Sequence, residues 1–227
     1  MITALIPARS GSKRVPHKNI RLLNNKPLLT YSIRTALACP SIDRVVVSTN
    51  DSEYKKISIA TGAEVITRPE EYCMDTSTDY AVVKHFLERN IDPLKGIVYL
   101  RPTTPIRKVE VVEDAISSFL NSCHSSLRSI EEMPESAYKC FEISKLNNLK
   151  GICCTPLEYT NKPNQQCTKT YKPNGYVDII DPAIASVFTL FGKNIMGYIT
   201  ERVTEVDTEE DFEYLEYQLR GELYVYD

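Results

Sequence analysis

Short β-branched runs recur along the first hundred residues, each separated from the next by a stretch with helical spacing. Ile2–Ile6, Arg44–Ser48, Ala63–Thr67 and Gly96–Leu100 are all too short for buried helices and read as buried strands. Between the first two, Leu28, Leu29, Ile33, Ala36 and Leu37 fall on one helical face, with Pro27 in the first turn and Pro40 as the stop. Asp51 is placed to cap a helix through Ala60 that Gly62 can end. Thr76 or Thr78 can cap the next helix, about Tyr80–Arg89, and Val109–Leu120 makes a further amphipathic one. The β-loop-α-β-α-β rhythm predicts an α/β chain, Rossmann-like, with a mostly parallel sheet flanked by helices. Ligands of such sheets collect at the C-terminal ends of the strands.

The loop at the end of the first strand is unusually basic. Between Ala8 and Asn19 lie Arg9, Lys13, Arg14, His17 and Lys18, with Val15 as the single apolar residue. Gly11, between Ser10 and Ser12, lets the backbone turn and bring N–H groups close to a ligand. A strand opening into a Gly/Ser loop with fixed positive charge suits a polyphosphate. Neither Walker spacing nor G-x-G-x-x-G is present, so the two commonest phosphate motifs are excluded.

Composition sharpens that reading. The net charge of the 227 residues is −3, so the positive charge is local, and nucleic acid is not an expected partner. No apolar run approaches the length of a membrane span, and the N-terminus reads as a core strand rather than a signal peptide, so no membrane contact is expected. Seven scattered cysteines without C-x-x-C argue against thiolate metal sites and disulfides and fit a reducing cytoplasm. Three dispersed histidines make a His-based metal site improbable.

The rhythm breaks from about 125 to 174, a segment rich in Asn, Lys, Gln and Pro, with apolar pieces only at Cys140–Ile143 and Gly151–Cys154. Long irregular inserts in compact domains are usually functional or carry an interface. Gly175–Ile180 and Ile195–Ile199 then read as strands around a short helix from Asp181 to Leu190. Near the end, Thr208 and Asp211 fit a capping box before a helix that carries Phe212, Leu215 and Leu219 on one face. Asp207 just outside it supplies favourable charge at a helix N-terminus. Glu205 and Asp207, two apart on an extended segment, point the same way and are able to reach one metal.

The opening stretch Ile6-Pro-Ala-Arg-Ser-Gly-Ser-Lys-Arg-Val-Pro-His-Lys-Asn19 resembles the N-terminal signature of the acylneuraminate cytidylyltransferases, the CMP-sialic acid synthetases and their relatives. Further motifs follow in order over nearly the whole chain. The Asp-Thr-Ser at 75–77 and the loop Arg101-Pro-Thr-Thr-Pro-Ile-Arg107 resemble the family's R-P-x-x-x-x-x-D-T-S and L-Q-P-T-S-P-L-R, with Arg101 where sialic acid enzymes carry Gln. Pro163-Asn-Gln-Gln-Cys-Thr-Lys-Thr-Tyr-Lys-Pro-Asn-Gly175 is similar to P-R-Q-x-x-P-x-x-[FY]-R-P-N-G, with Asn164 and Lys172 in place of its arginines. Glu205-Val-Asp-Thr-Glu-Glu-Asp211 resembles D-I-D-T-x-x-D.

The resemblance implies one nucleotidyltransferase domain over 1–227, with a protruding arm at about 125–174 that reaches a partner subunit in a homodimer. It implies that Arg9, Gly11, Ser12, Lys13, Lys18, Asn19 and Ser77 hold CTP, with Arg9, Lys13 and Lys18 clamping the triphosphate. It places Arg101, Thr103, Thr104, Lys139, Asn174 and Gly175 toward the sugar acid, and Mg²⁺ on Asp207 with Glu205. The implied reaction is attack by the anomeric hydroxyl of an acidic 2-keto-3-deoxy sugar on the α-phosphorus of CTP, releasing pyrophosphate. A same-fold cytidylyltransferase for a phosphonate or an eight-carbon keto acid, and a non-catalytic nucleotide-binding protein, stand as alternatives.

Overall fold

A computed structural model describes residues 1–152, 157–185 and 189–221. In chain order the strands are β1 (Ile2–Pro7), β2 (Leu22–Leu23), β3 (Lys26–Pro27), β4 (Arg44–Thr49), β5 (Glu64–Thr67), β6 (Gly96–Tyr99), β7 (Ser126–Glu132), β8 (Phe141–Ile143), β9 (Leu149–Gly151), β10 (Tyr171–Ile180) and β11 (Ile195–Ile199). The helices are α1 (Leu28–Ala38), α2 (Ser52–Ala60), α3 (Asp79–Arg89), α4 (Val109–Leu120), α5 (Pro182–Ala185) and α6 (Glu209–Gly221). Seven strands form one sheet in the order β11-β7-β10-β6-β1-β4-β5. Only β10 runs against its neighbours β6 and β7.

The expected mostly parallel α/β architecture is therefore present. Leu29, Ile33 and Ala36 of α1 and Val112, Ala115 and Ile116 of α4 bury one face of the sheet; Val82, Val83 and Phe86 of α3 cover the other. A third cluster joins α6, through Phe212 and Leu215, to Val15, Leu23, Leu28, Tyr31 and Val206. The local stop and start signals act as read. Asp51 accepts hydrogen bonds from the N–H groups of Glu53 (2.8 Å) and Tyr54 (3.0 Å), and Thr78 caps α3. Asp211 Oδ2 accepts from the Thr208 N–H at 2.7 Å, while the Asp211 N–H returns to Thr208 Oγ1 at 3.3 Å.

Four local expectations need correction. Leu37 is 49% exposed, because the sheet is reached by the Leu29–Ile33–Ala36 stripe alone. Pro27 precedes α1 rather than entering its first turn, since Asn24 and Asn25, both left-handed, close the β2–β3 hairpin first. The supposedly irregular 125–174 segment contains β7, a strand of the main sheet, and the start of β10. The short helix after β10 covers only Pro182–Ala185 of its expected span; residues 186–188, like Cys153 and Cys154, lie outside the described residues. Among the described residues no helix is long and apolar enough to cross a membrane, and Cys39, Cys73, Cys123, Cys140 and Cys167 are free thiols.

β1, β4, β5, β6, β7 and β11 all point the same way, so the loops leaving their C-terminal ends share one edge of the sheet. The loops after β1, β5 and β6 and the start of β10 all meet there.

Candidate active site

At that edge a cleft of about 220 Å³ is lined by Pro7, Arg9, Ser12, Lys18, Asn19, Arg68, Ser77, Asp79, Val82, Arg101, Pro102 and Thr103. The basic loop is braced from several sides. Asn50 accepts from the Ser10 N–H at 3.0 Å and donates to Ser10 Oγ at 2.9 Å. Asn19 Nδ2 donates to the Arg9 carbonyl at 3.1 Å. Arg9 donates to the Cys73 carbonyl at 3.2 Å and pairs with Asp75 at 3.0 Å; Lys13 pairs with the same carboxylate. Hydrogen bonds from Lys13 and then Arg9 hold the Asp75 carboxyl below its usual range. Gly11 takes φ +81°, which only glycine adopts without strain.

The 205–207 segment is pinned between this loop and the one after β6. Val206 is fully buried, its N–H donates to the Thr103 carbonyl at 2.7 Å, and its carbonyl accepts from Lys18 Nζ at 2.7 Å. Alternation then turns Glu205 and Asp207 away from the core. Asp207 pairs with Lys18 and Arg14, each at 3.2 Å, and Glu205 accepts from Thr103 Oγ1 at 3.0 Å. Burial pushes the Asp211 carboxyl up, but the N–H groups of Asp207 and Thr208 outweigh it and hold the group low.

Behind the cleft, Arg107 is 2% exposed and ties the 101–107 loop to β10. It donates to the carbonyls of Tyr176, Arg101 (2.8 Å) and Gly175 (3.2 Å) and to Ser32 Oγ (2.9 Å). Gly175 has φ +66°, and a Cβ there would lie 3.1 Å from Thr104 Oγ1. Arg101 donates to Asp178 at 2.6 Å and to Asp79 at 2.7 Å, and Tyr99 donates to Asp79 at 2.8 Å. Burial disfavours the Arg101 charge, yet Asp178 and Asp79 raise its pKa overall.

A family model described as cytidylyltransferase matches residues 3–216. The chain belongs to that family. This family member is 30% identical over 215 residues to the N-acylneuraminate cytidylyltransferase of Escherichia coli O18:K1:H7, covering 93% of the chain and 50% of that protein. It is 38% identical over 119 residues to the CMP-N,N'-diacetyllegionaminic acid synthase of Legionella pneumophila, 51% of each. Against the pseudaminic acid cytidylyltransferase of Campylobacter jejuni it is 27% identical over 227 residues, 92% of both. The chain thus spans about half the length of the first two relatives and most of the third. In fold it is similar to CMP:2-keto-3-deoxy-manno-octonic acid synthetase solved with CTP, with TM-score 0.76, 16% identity and 98% and 99% of the two chains covered.

Within this cytidylyltransferase fold, Arg9, Ser12, Lys18, Asn19, Ser77, Arg101 and Thr103 come together around the cleft, with Lys13 beside it through Asp75. Thr104, Asn174 and Gly175 stand behind it. Thr104 is fully buried, and Asn174 donates to Thr200 Oγ1 at 2.7 Å. Lys139 sits in a 3₁₀ turn of the inserted segment and is not among the cleft residues. Sequence reasoning passed over Arg68, which is 4% exposed and donates to Ser48 through Oγ (3.1 Å) and the carbonyl (2.6 Å). Its signal was the Arg68-Pro69 pair opening the Asp-Thr-Ser loop. Asp75, which completes that loop, was also available as the partner of Arg9.

Proposed function

We propose that the chain is a CTP-dependent cytidylyltransferase, acting as one nucleotidyltransferase domain that transfers CMP to the anomeric hydroxyl of an acidic 2-keto-3-deoxy sugar. The hydroxyl oxygen bonds to the α-phosphorus, the bond to the bridging oxygen breaks, and pyrophosphate leaves with the hydroxyl proton released. The observation that carries this reading is the gathering of Arg9, Lys18, Arg68 and Arg101 at one cleft of a chain whose net charge is −3. The names of the relatives support this acceptor class: they refer to acylneuraminic, diacetyllegionaminic and pseudaminic acids. Pyrophosphate release from CTP, measured with these acids and 2-keto-3-deoxy-manno-octonic acid, tests it. Release with none of them would defeat the reading.

Such a transfer is mostly positioning and charge neutralisation. Arg9 and Lys13 meet Asp75 at the exposed rim, a pairing that is weak in water and open to exchange for triphosphate oxygens. Lys18, nearly buried and fixed by Val206 and Asp207, supplies a charge with little freedom to lose. The carboxylates of Asp207 and Glu205 are hard oxygen donors on one side of an extended segment and fit Mg²⁺. Among the described residues no three His, Cys, Asp or Glu gather into a metal-holding group, so phosphate oxygens would complete its shell. Bound there, the ion would offset charge at the α-phosphate. Arg9→Ala is expected to abolish CTP binding measurable by calorimetry while melting within about 3 °C of wild type, since Arg9 contributes only rim contacts. Unchanged affinity in the folded variant would remove the clamp role. A cytoplasmic location fits this co-substrate and the free thiols.

A homodimer through the inserted segment belongs to the same proposal. The β8–β9 hairpin exposes Phe141, Ile143, Leu146 and Leu149, with Ile152 beside it, and a two-stranded hairpin gains little stability alone. Light scattering at micromolar concentration should give a dimer for wild type and a monomer for Ile143→Asp/Leu149→Asp. An active wild-type monomer would count against the arm.

A further inference from the structure

A row of alternating charge leads from the cleft along the sheet. It runs from Asp79 at the start of α3 through Arg101 and Asp178 of β10 to Arg128 of β7. Tyr99, Asp178 and Arg128 are register partners on adjacent strands, so Arg128 stands two strand spacings, or ~10 Å, from Tyr99, a buried residue two before the cleft-lining Arg101. Asp178 is 1% exposed and is held by Arg101 at 2.6 Å. It faces Arg128 only at 3.5 Å, and neither Asp178 Oδ1 nor Arg128 Nε has a hydrogen-bond partner among the described residues. The Arg128 guanidinium lies 4.5 Å over the Phe191 ring, and 32% of the side chain remains exposed. Its register neighbour on β11 is Gly197, which sets no side chain beside it.

We propose that Arg128 receives the carboxylate of the acidic acceptor; this rests on the reading of the site as a sugar-acid cytidylyltransferase. Of the other cations of the edge, Arg9 and Lys13 face Asp75, Lys18 and Arg14 face Asp207, Arg101 faces Asp79 and Asp178, and Arg68 is 4% exposed and turned onto Ser48. Arg101, one of the two cations expected toward the sugar acid (the other is Lys139), therefore acts as a brace. Asp178 lies between two guanidiniums that would otherwise repel, and it fixes Arg128 without saturating it. Phe191 holds the guanidinium plane by stacking, the arrangement in which an arginine fork meets a carboxylate edge-on.

The test compares wild type, Arg128→Met and Arg128→Lys in steady-state kinetics with CTP. The acceptors are the panel acid that turns over best and its methyl ester. Arg128→Met should raise KM for the acid about 30-fold or more, as expected when one member of a shielded charge pair is removed. KM for CTP should stay within about twofold, because Arg128 is not among the cleft residues. The preference for acid over ester should collapse, and Arg128→Lys should restore part of it. An unchanged KM for the acid in Arg128→Met, or equal losses with acid and ester, would overturn the proposal and leave the enzyme assignment standing. A wild type that turns over no keto acid would overturn both.

Discussion

Asp207→Asn is expected to lower turnover ~10³-fold or more while leaving the fold nearly intact. As a charge beside the N-terminus of α6, Asp207 is worth only about 0.3–1 kcal/mol. Its ion pairs with Lys18 and Arg14 are half-exposed, and Lys18 keeps the Val206 carbonyl when the carboxylate is gone. A loss of that size moves melting by about 2–4 °C in a chain of this length. A carboxylate that holds a metal against a reacting phosphate contributes several kcal/mol to the transition state instead. Glu205→Gln should fall between, since the amide oxygen still accepts from Thr103 and a longer side chain can reach a metal through water. Initial rates across a Mg²⁺ titration, beside thermal unfolding of each variant, separate the two roles. Near-normal turnover of Asp207→Asn at low Mg²⁺ would leave only the helix-terminus role.

Arg107→Met should produce the opposite pattern, a large loss of stability from a residue that does not line the cleft. The fork serves three backbone carbonyls and a hydroxyl where almost no water reaches, so truncation takes its donors from the carbonyls of Tyr176 and Gly175, while the Arg101 carbonyl keeps the Thr104 N–H at 3.2 Å and Ser32 Oγ at 3.3 Å. At about 1–3 kcal/mol for each stranded group, with partial relaxation, a loss of about 3–5 kcal/mol is expected. Urea unfolding monitored by far-ultraviolet circular dichroism would measure it, and a change below about 1 kcal/mol would show that the loop holds itself. Arg107→Lys should recover little, because one ammonium cannot span acceptors on both the loop and β10. CTP binding measured well below the melting point should weaken as well, since the freed loop carries Arg101 and Thr103 at the cleft.

The parts of this protein that were legible in the chain are those decided within a few residues. The buried strands β1, β4 and β6 are runs of β-branched residues whose environment is apolar on both faces, and the caps at Asp51, Thr78 and Thr208 are hydrogen bonds to N–H groups two or three residues away. The basic loop was equally plain, because five cationic or titratable side chains in ten residues have no place in a core. Whatever required a partner far along the chain was not. β7 was hidden in an irregular stretch because Ser126–Glu132 alternates polar residues on one face with Leu127 as its main apolar anchor, and its identity as a strand comes from pairing with β10 and β11. Arg101 illustrates the same limit at the site: its residue type promises a free charge, but Asp178, 77 residues away, sits on β10, the antiparallel strand of the seven-stranded sheet, and neutralises it. Sequence determined the buried strands β1, β4 and β6, the capped helix starts and the basic loop, because propensity, capping and charge are local. Tertiary structure alone decided which cations stay unmatched, because ion pairing depends on distances that sheet order and register set.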